Sequence, residues 1–153
     1  MIKLRNLTFF CCLLFAMPLF SQGWQMLDTQ PPFLTHHTYG FGYEGKAFVI
    51  QGNSGNPLWL FDPADNSWER IGDFPGPQRG FAVGDYWDGK YYYGFGNGST
   101  GALNDLWVFD PEDQSFTELP SCPCVGRAHP AFIAHNDKTV SYTHLTLPTT
   151  PYV

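Results

Sequence analysis

Two arginines stand 48 residues apart, Arg79 in "PQRGFA" and Arg127 in "VGRAHP". A guanidinium stays charged and offers five donors in a rigid fork, which suits a carboxylate or another anion. Each arginine follows a Gly- and Pro-rich stretch, "GDFPGPQ" (Gly72–Gln78) and "PSCPCVG" (Pro120–Gly126), and precedes an apolar one. Arg79 and Arg127 are therefore the candidate binding residues, each entering a strand from a loop. The alternative at each position is a structural one, a guanidinium that satisfies loop carbonyls or a neighbouring Asp.

Other reactive side chains carry less. His36 and His37 are adjacent. On an extended strand such neighbours point to opposite faces, which argues against a shared metal ion. Cys122 and Cys124 flank Pro123. A bridge across one residue demands strain, so the expectation is that they bond elsewhere or stay free. "GNGSTG" (Gly96–Gly101) fits G-x-G-x-x-G, but a dinucleotide site needs a helix directly after it. "ALNDLWVFDP" follows instead and reads as a strand. Asn97-Gly98-Ser99 is also a glycosylation sequon. Most acids sit in turn sequences (Asp62, Asp65, Asp88, Asp110, Asp113), where they hydrogen-bond their own backbone. No Ser/His/Asp arrangement is legible, so no catalytic residue, metal or cofactor is assigned.

The elements that position these residues repeat along the chain. "YEGKAFVIQGNSGNPLWLFDPADNSWERI" (Tyr43–Ile71) aligns with "WDGKYYYGFGNGSTGALNDLWVFDPEDQSFTEL" (Trp87–Leu119). Gly45-Lys46 matches Gly89-Lys90, and Trp59, Asp62-Pro63 and Trp68 match Trp107, Asp110-Pro111 and Phe116. A partial third unit begins at "GRAHPAFIAHNDKTV" (Gly126–Val140), and "WQML" (Trp24–Leu27) looks like the tail of a unit. A unit reads as four strands, for example 80–87, 90–95, 105–110 and 115–119, with Asp88-Gly89 closing a tight hairpin. Runs such as "AFVI" and "LWLF" are apolar at successive positions, which implies sheets covered on both faces. Trp59, Trp68 and Trp107 are large enough to fill the space between neighbouring sheets, and alternate rings of Tyr91–Tyr93 should reach opposite interfaces. Four-stranded sheets repeating at this period point to an all-β propeller.

At this point the residues resemble the kelch repeat. Gly52 with "LFDP" and Trp68, and Gly96 with "VFDP" and Phe116, stand where that family carries its glycine, its third strand and its fourth-strand Trp. The glycine doublet of the family is Gly-Asn here (Gly52-Asn53, Gly96-Asn97). The resemblance, over about 24–138, implies an all-β, kelch-type β-propeller fragment of two four-stranded antiparallel blades plus partial units. It also implies two kinds of function. One is a scaffold that binds a protein or carbohydrate ligand on its loop-rich face. The other is an enzyme of the galactose oxidase or sialic-acid mutarotase kind, whose chemistry no residue present supports. A structural surface protein with its activity in a further C-terminal domain is the remaining alternative.

Both ends of the chain read as something else. Residues 1–22 have a basic start (Lys3, Arg5), an apolar run too short to span a bilayer and a small residue before Gln22, the pattern of an export signal. Its removal leaves six Lys/Arg against fourteen Asp/Glu, a net charge of −8, which argues against nucleic acid and against anionic membrane surfaces. The expected location is periplasmic, cell-surface or secreted. Residues 140–153 interrupt the third unit where an apolar strand belongs, and "SYTHLTLPTT" resembles translated read-through of a sequencing-library adapter. The expected organisation is an export signal over 1–22, a partial propeller over 23–139 and a non-native tail over 140–153, with the natural protein longer.

Overall fold

The computed structural model describes residues 23, 26–136 and 138–143. The expected signal, Trp24 and Gln25 of the "WQML" segment, and most of the expected tail lie outside them. Blade 1 is a four-stranded antiparallel sheet of β1 (Tyr39–Tyr43), β2 (Lys46–Ile50), β3 (Pro57–Asp62) and β4 (Ser67–Asp73), paired in that order. Blade 2 repeats it with β5 (Val83–Trp87), β6 (Lys90–Gly94), β9 (Leu106–Asp110) and β10 (Ser115–Leu119). Between β6 and β9 a short ribbon forms from β7 (Asn97–Gly98) and β8 (Gly101–Ala102). A third unit begins with β11 (Ala131–His135) and β12 (Lys138–Tyr142). β12 runs past Thr139, pairing Val140, Ser141 and Tyr142 with Ile133, Phe132 and Ala131.

The turns follow from the sequence. Glu44-Gly45 and Asp88-Gly89 both take positive φ at both positions (47° and 76°, 47° and 78°). That is the hairpin turn whose twist matches its strands. At the β3–β4 turn Asp62 accepts from the Ala64 N–H at 2.9 Å, and at the β9–β10 turn Asp110 accepts from Glu112 at 3.1 Å. Lys46 and Lys90, at matching positions on β2 and β6, pair with these same carboxylates. The pairs are solvated and contribute little, but they fix register at the same place in each blade.

The core lies between the two blades and is built mainly of Phe and Tyr rings, with Ile50, Leu58 and Ala82 among them. Phe41 stacks on Tyr91 with centroids 4.2 Å apart, and Phe48 meets Phe109 at 5.6 Å. Tyr93 and Phe109 are fully buried. Tyr91 and Tyr93 face this interface, and Tyr92, between them on the strand, is only half-buried. The tryptophans do not share one role. Trp107 packs edge-on against Phe74 in the interface, but Trp59 and Trp68 lie against Phe33 on the other side of blade 1. Trp59 and Trp107 take the same face of their matching strands; that face of blade 2 meets blade 1, whereas that face of blade 1 meets the segment carrying Phe33.

One boundary differs from the sequence expectation. β5 begins at Val83, not Gly80, because Phe81 takes a left-handed φ of 59°. Gly80 instead bridges to Asn97 across the blade's mouth.

Candidate functional site: the loop-rich face

The connections at one end of the blades are long and hold one another. Gln78 donates to the Asn53 carbonyl at 2.6 Å, joining the inter-blade segment to the β2–β3 loop. Asn104, from the loop between β8 and β9, donates to the carbonyls of Cys122 and Cys124 at 2.9 and 3.1 Å. Segments 72–78, 96–104 and 120–126 thus gather on one face. Three hollows adjoin there. One of about 420 Å³ is lined by Asn53, Gln78, Asn97 and Ser99 among others. A second of about 370 Å³ shares Asn97 and adds Val125 and Arg127. A third of about 500 Å³ shares Arg127 and is walled by the Cys122–Cys124 loop and β12.

Gly96 allows this packing. It takes φ 93°, and a Cβ there would come within 2.5 Å of the Gly80 carbonyl oxygen. Its N–H donates to the Arg127 carbonyl at 2.7 Å, while the Arg127 N–H donates to Leu103 at 3.0 Å. The backbone of Arg127 is therefore locked on both sides.

The two candidate arginines receive different surroundings. The Arg79 side chain is 1 % exposed and forms a two-pronged pair with Asp105 at 2.6 and 2.5 Å. It also donates to the Phe95 and Pro77 carbonyls at 3.0 and 3.1 Å and lies over the Phe74 ring. All three of its nitrogens are hydrogen-bonded, which is the structural alternative named above. Burial pushes the Asp105 carboxyl up, but hydrogen bonds from Arg79 and from the Trp107 indole, with the Arg79 charge, outweigh it and leave the pKa below the usual value. Arg127 is half-buried, lines two of the hollows and makes no side-chain hydrogen bond or ion pair with any described residue. It is the only charged side chain among the residues lining those two hollows.

Two further features depart from the sequence reading. His36 and His37 precede β1, and His37 takes a left-handed φ of 60°, so strand alternation does not separate them. Their Nδ1 atoms lie 2.5 Å apart, and Asn53 reaches His36 Nδ1 at 3.0 Å. His37, Phe81 and His129 occupy the same repeat position, two residues before β1, β5 and β11, all with left-handed φ. The His37 and His129 rings both pack on Phe81, at 4.0 and 4.6 Å. The His37 pKa is lowered by desolvation and by His36 and His129 beside it. Cys122 and Cys124 are bonded to each other, with Cα atoms 5.1 Å apart, inside the span a disulfide accepts.

The geometry can be set beside known proteins. No protein-family model and no curated protein matches the chain. Among the solved structures that match is that of YjhT, a kelch-type propeller, at a TM-score of 0.62 and 24% identity. The match covers 74% of this chain and 35% of the YjhT chain, so this chain spans about a third of that protein's length. The chain has the fold of part of a kelch-type propeller.

The side chains around the first hollow are mostly neutral and polar. Asn53, Gln78, Asn97 and Ser99 supply amide and hydroxyl groups, and Arg127 supplies the charge of the other two. Gly96–Gly101, the possible dinucleotide loop, forms the β7–β8 ribbon and leads into β9. Among the described residues, no three or more His, Cys, Asp or Glu side chains are grouped to hold a metal ion.

Proposed function

We propose that this chain is part of an exported propeller that binds a protein or carbohydrate ligand through its loop-rich face, with Arg127 receiving an anionic group. The carrying observation is Arg127, unpaired among the described residues, beside loop residues of 97–102 and 120–128 that adjoin the Asn53 and Gln78 hollow through Asn97. Long loops on a rigid scaffold are where binding concentrates. The opposite end offers a hollow at the β1–β2 turn, lined by Tyr43, Glu44 and Lys46 among others.

The test is a panel of neutral and uronic-acid oligosaccharides and acidic peptides, applied to wild type, Arg127→Lys and Arg127→Ala. The reading expects preference for an acidic probe, a loss of about tenfold or more in Arg127→Ala, the scale of a charge-assisted hydrogen bond, and partial rescue by Lys. Equal binding by all three proteins would overturn it.

A second reading is favoured by the His36–His37 pair. An exposed imidazole whose pKa is lowered is a neutral base at pH 7, and Asn53 ties the pair to the first hollow. On this reading the bound ligand is also converted by proton transfer, in the manner of a kelch-type enzyme. A ligand recovered unchanged after long incubation counts for the scaffold. Conversion abolished by His37→Gln counts for the enzyme.

A further inference from the structure

We infer that the Cys122–Cys124 disulfide is a thiol-exchange site on the wall of the third hollow and not a staple of the fold. A bridge stabilises a protein mainly by restricting the unfolded chain, and the effect shrinks with the loop it closes. This one closes a loop with a single residue between its ends. Its position agrees with that. Both cysteines are half-buried and line the hollow, outside the aromatic core between the blades.

The loop is held in place without the bridge. Asn104 donates through Nδ2 to both cysteine carbonyls, and the Cys122 N–H donates to the Asn104 carbonyl at 2.9 Å. Breaking the S–S bond therefore leaves three backbone anchors intact and leaves the two sulfurs near each other. Arg127 lines the same hollow. A cation near a cysteine favours its thiolate, and a better thiolate leaves faster in exchange.

The reaction is balanced with a low-molecular-mass thiol such as glutathione. The external thiolate attacks one cysteine sulfur, the Cys122–Cys124 bond breaks, and the other cysteine departs as a thiolate. The protein then carries one mixed disulfide. A second thiolate attacks the external sulfur, giving the dithiol and the oxidised small thiol as a disulfide dimer. The reverse sequence, with that dimer as oxidant, restores the bridge. Exchange requires no bound ligand, so it stands or falls apart from the binding proposal.

The experiment treats the folded protein with graded ratios of reduced to oxidised glutathione, alkylates free thiols and reads the 122–124 peptide by mass spectrometry. Near-UV circular dichroism is recorded on the same samples. The inference expects reversible opening of the bridge at ratios that leave the aromatic signal unchanged. It also expects a stable glutathione adduct on Cys122 in Cys124→Ser. Arg127→Gln should slow exchange several-fold without altering the spectrum. A bridge that opens only where the aromatic signal is lost would overturn the proposal. So would a bridge that resists thiol in the folded protein, or a Cys124→Ser protein that takes up no adduct while its spectrum stays native.

Discussion

At the residue scale, the two arginines that share a repeat position have different surroundings. Arg79 is closed in by Asp105, Phe95 and Pro77, and removing either charge of such a buried pair leaves the other uncompensated. Asp105→Asn should therefore destabilise the protein by about 3–5 kcal/mol near neutral pH, read by urea unfolding. The acid dependence has a definite sign. The folded carboxyl has a lowered pKa, so the pair's contribution is complete above the unfolded value of about 3.9 and fades as pH falls through the folded value. The wild type should lose stability on that limb more steeply than Asp105→Asn. A parallel acid limb in the two proteins would show that the pair does not contribute. Tyr93 makes the opposite case. Its hydroxyl is buried with no hydrogen-bond partner among the described residues, and burial raises its pKa. Tyr93→Phe removes an unsatisfied group at nearly constant shape, so it should leave stability unchanged or raise it by about 1 kcal/mol. A clear loss in the same unfolding assay would reveal a partner for that hydroxyl.

At the element scale, the strands were legible because period and turn chemistry agree. Asp88-Gly89 announced a two-residue hairpin, and "LFDP" and "VFDP" announced strands ending in Asp-led turns; β3 and β9 do end at Asp62 and Asp110. What stayed hidden were positions where one residue leaves the strand regime. Phe81 and His37 adopt left-handed φ without being Gly, Asn or Asp. No glycine or proline in "HHTYG" marks that turn before the strand begins, and strand alternation does not hold for a histidine pair that lies outside a strand. The disulfide was hidden for a related reason, since the anchoring by Asn104 comes from a different loop. The glycines separate two kinds of demand. Gly96→Ala meets the Gly80 carbonyl as well as an unfavourable φ, costing about 2–5 kcal/mol from backbone and overpacking together. Gly89→Ala has open space around it and bears only the backbone penalty of about 1–2 kcal/mol. Thermal denaturation of the pair should rank Gly96→Ala well below Gly89→Ala. Equal midpoints would refute the close approach that holds Gly80 against Gly96.

At the scale of the whole molecule, the two ends of the blades are unequal. One end has hairpin turns at 44–45 and 88–89; the other has interlocked loops and three adjoining hollows. A bulky maleimide on Ser99→Cys should block ligand binding, and the same label on Asp88→Cys should not. The reverse pattern would move the site to the turn end. The repeat itself makes the sharper demand. Arg127 follows Arg79 by one full unit, yet the partners that enclose Arg79 have no counterpart around Arg127 among the described residues. The direct measurement is urea unfolding of Arg79→Ala and Arg127→Ala side by side. Arg79→Ala should lose about 3–5 kcal/mol, and Arg127→Ala should stay within about 0.5 kcal/mol of wild type. Comparable large losses for both would contradict this contrast, because Arg127 would then be spent inside the fold and not offered to a ligand.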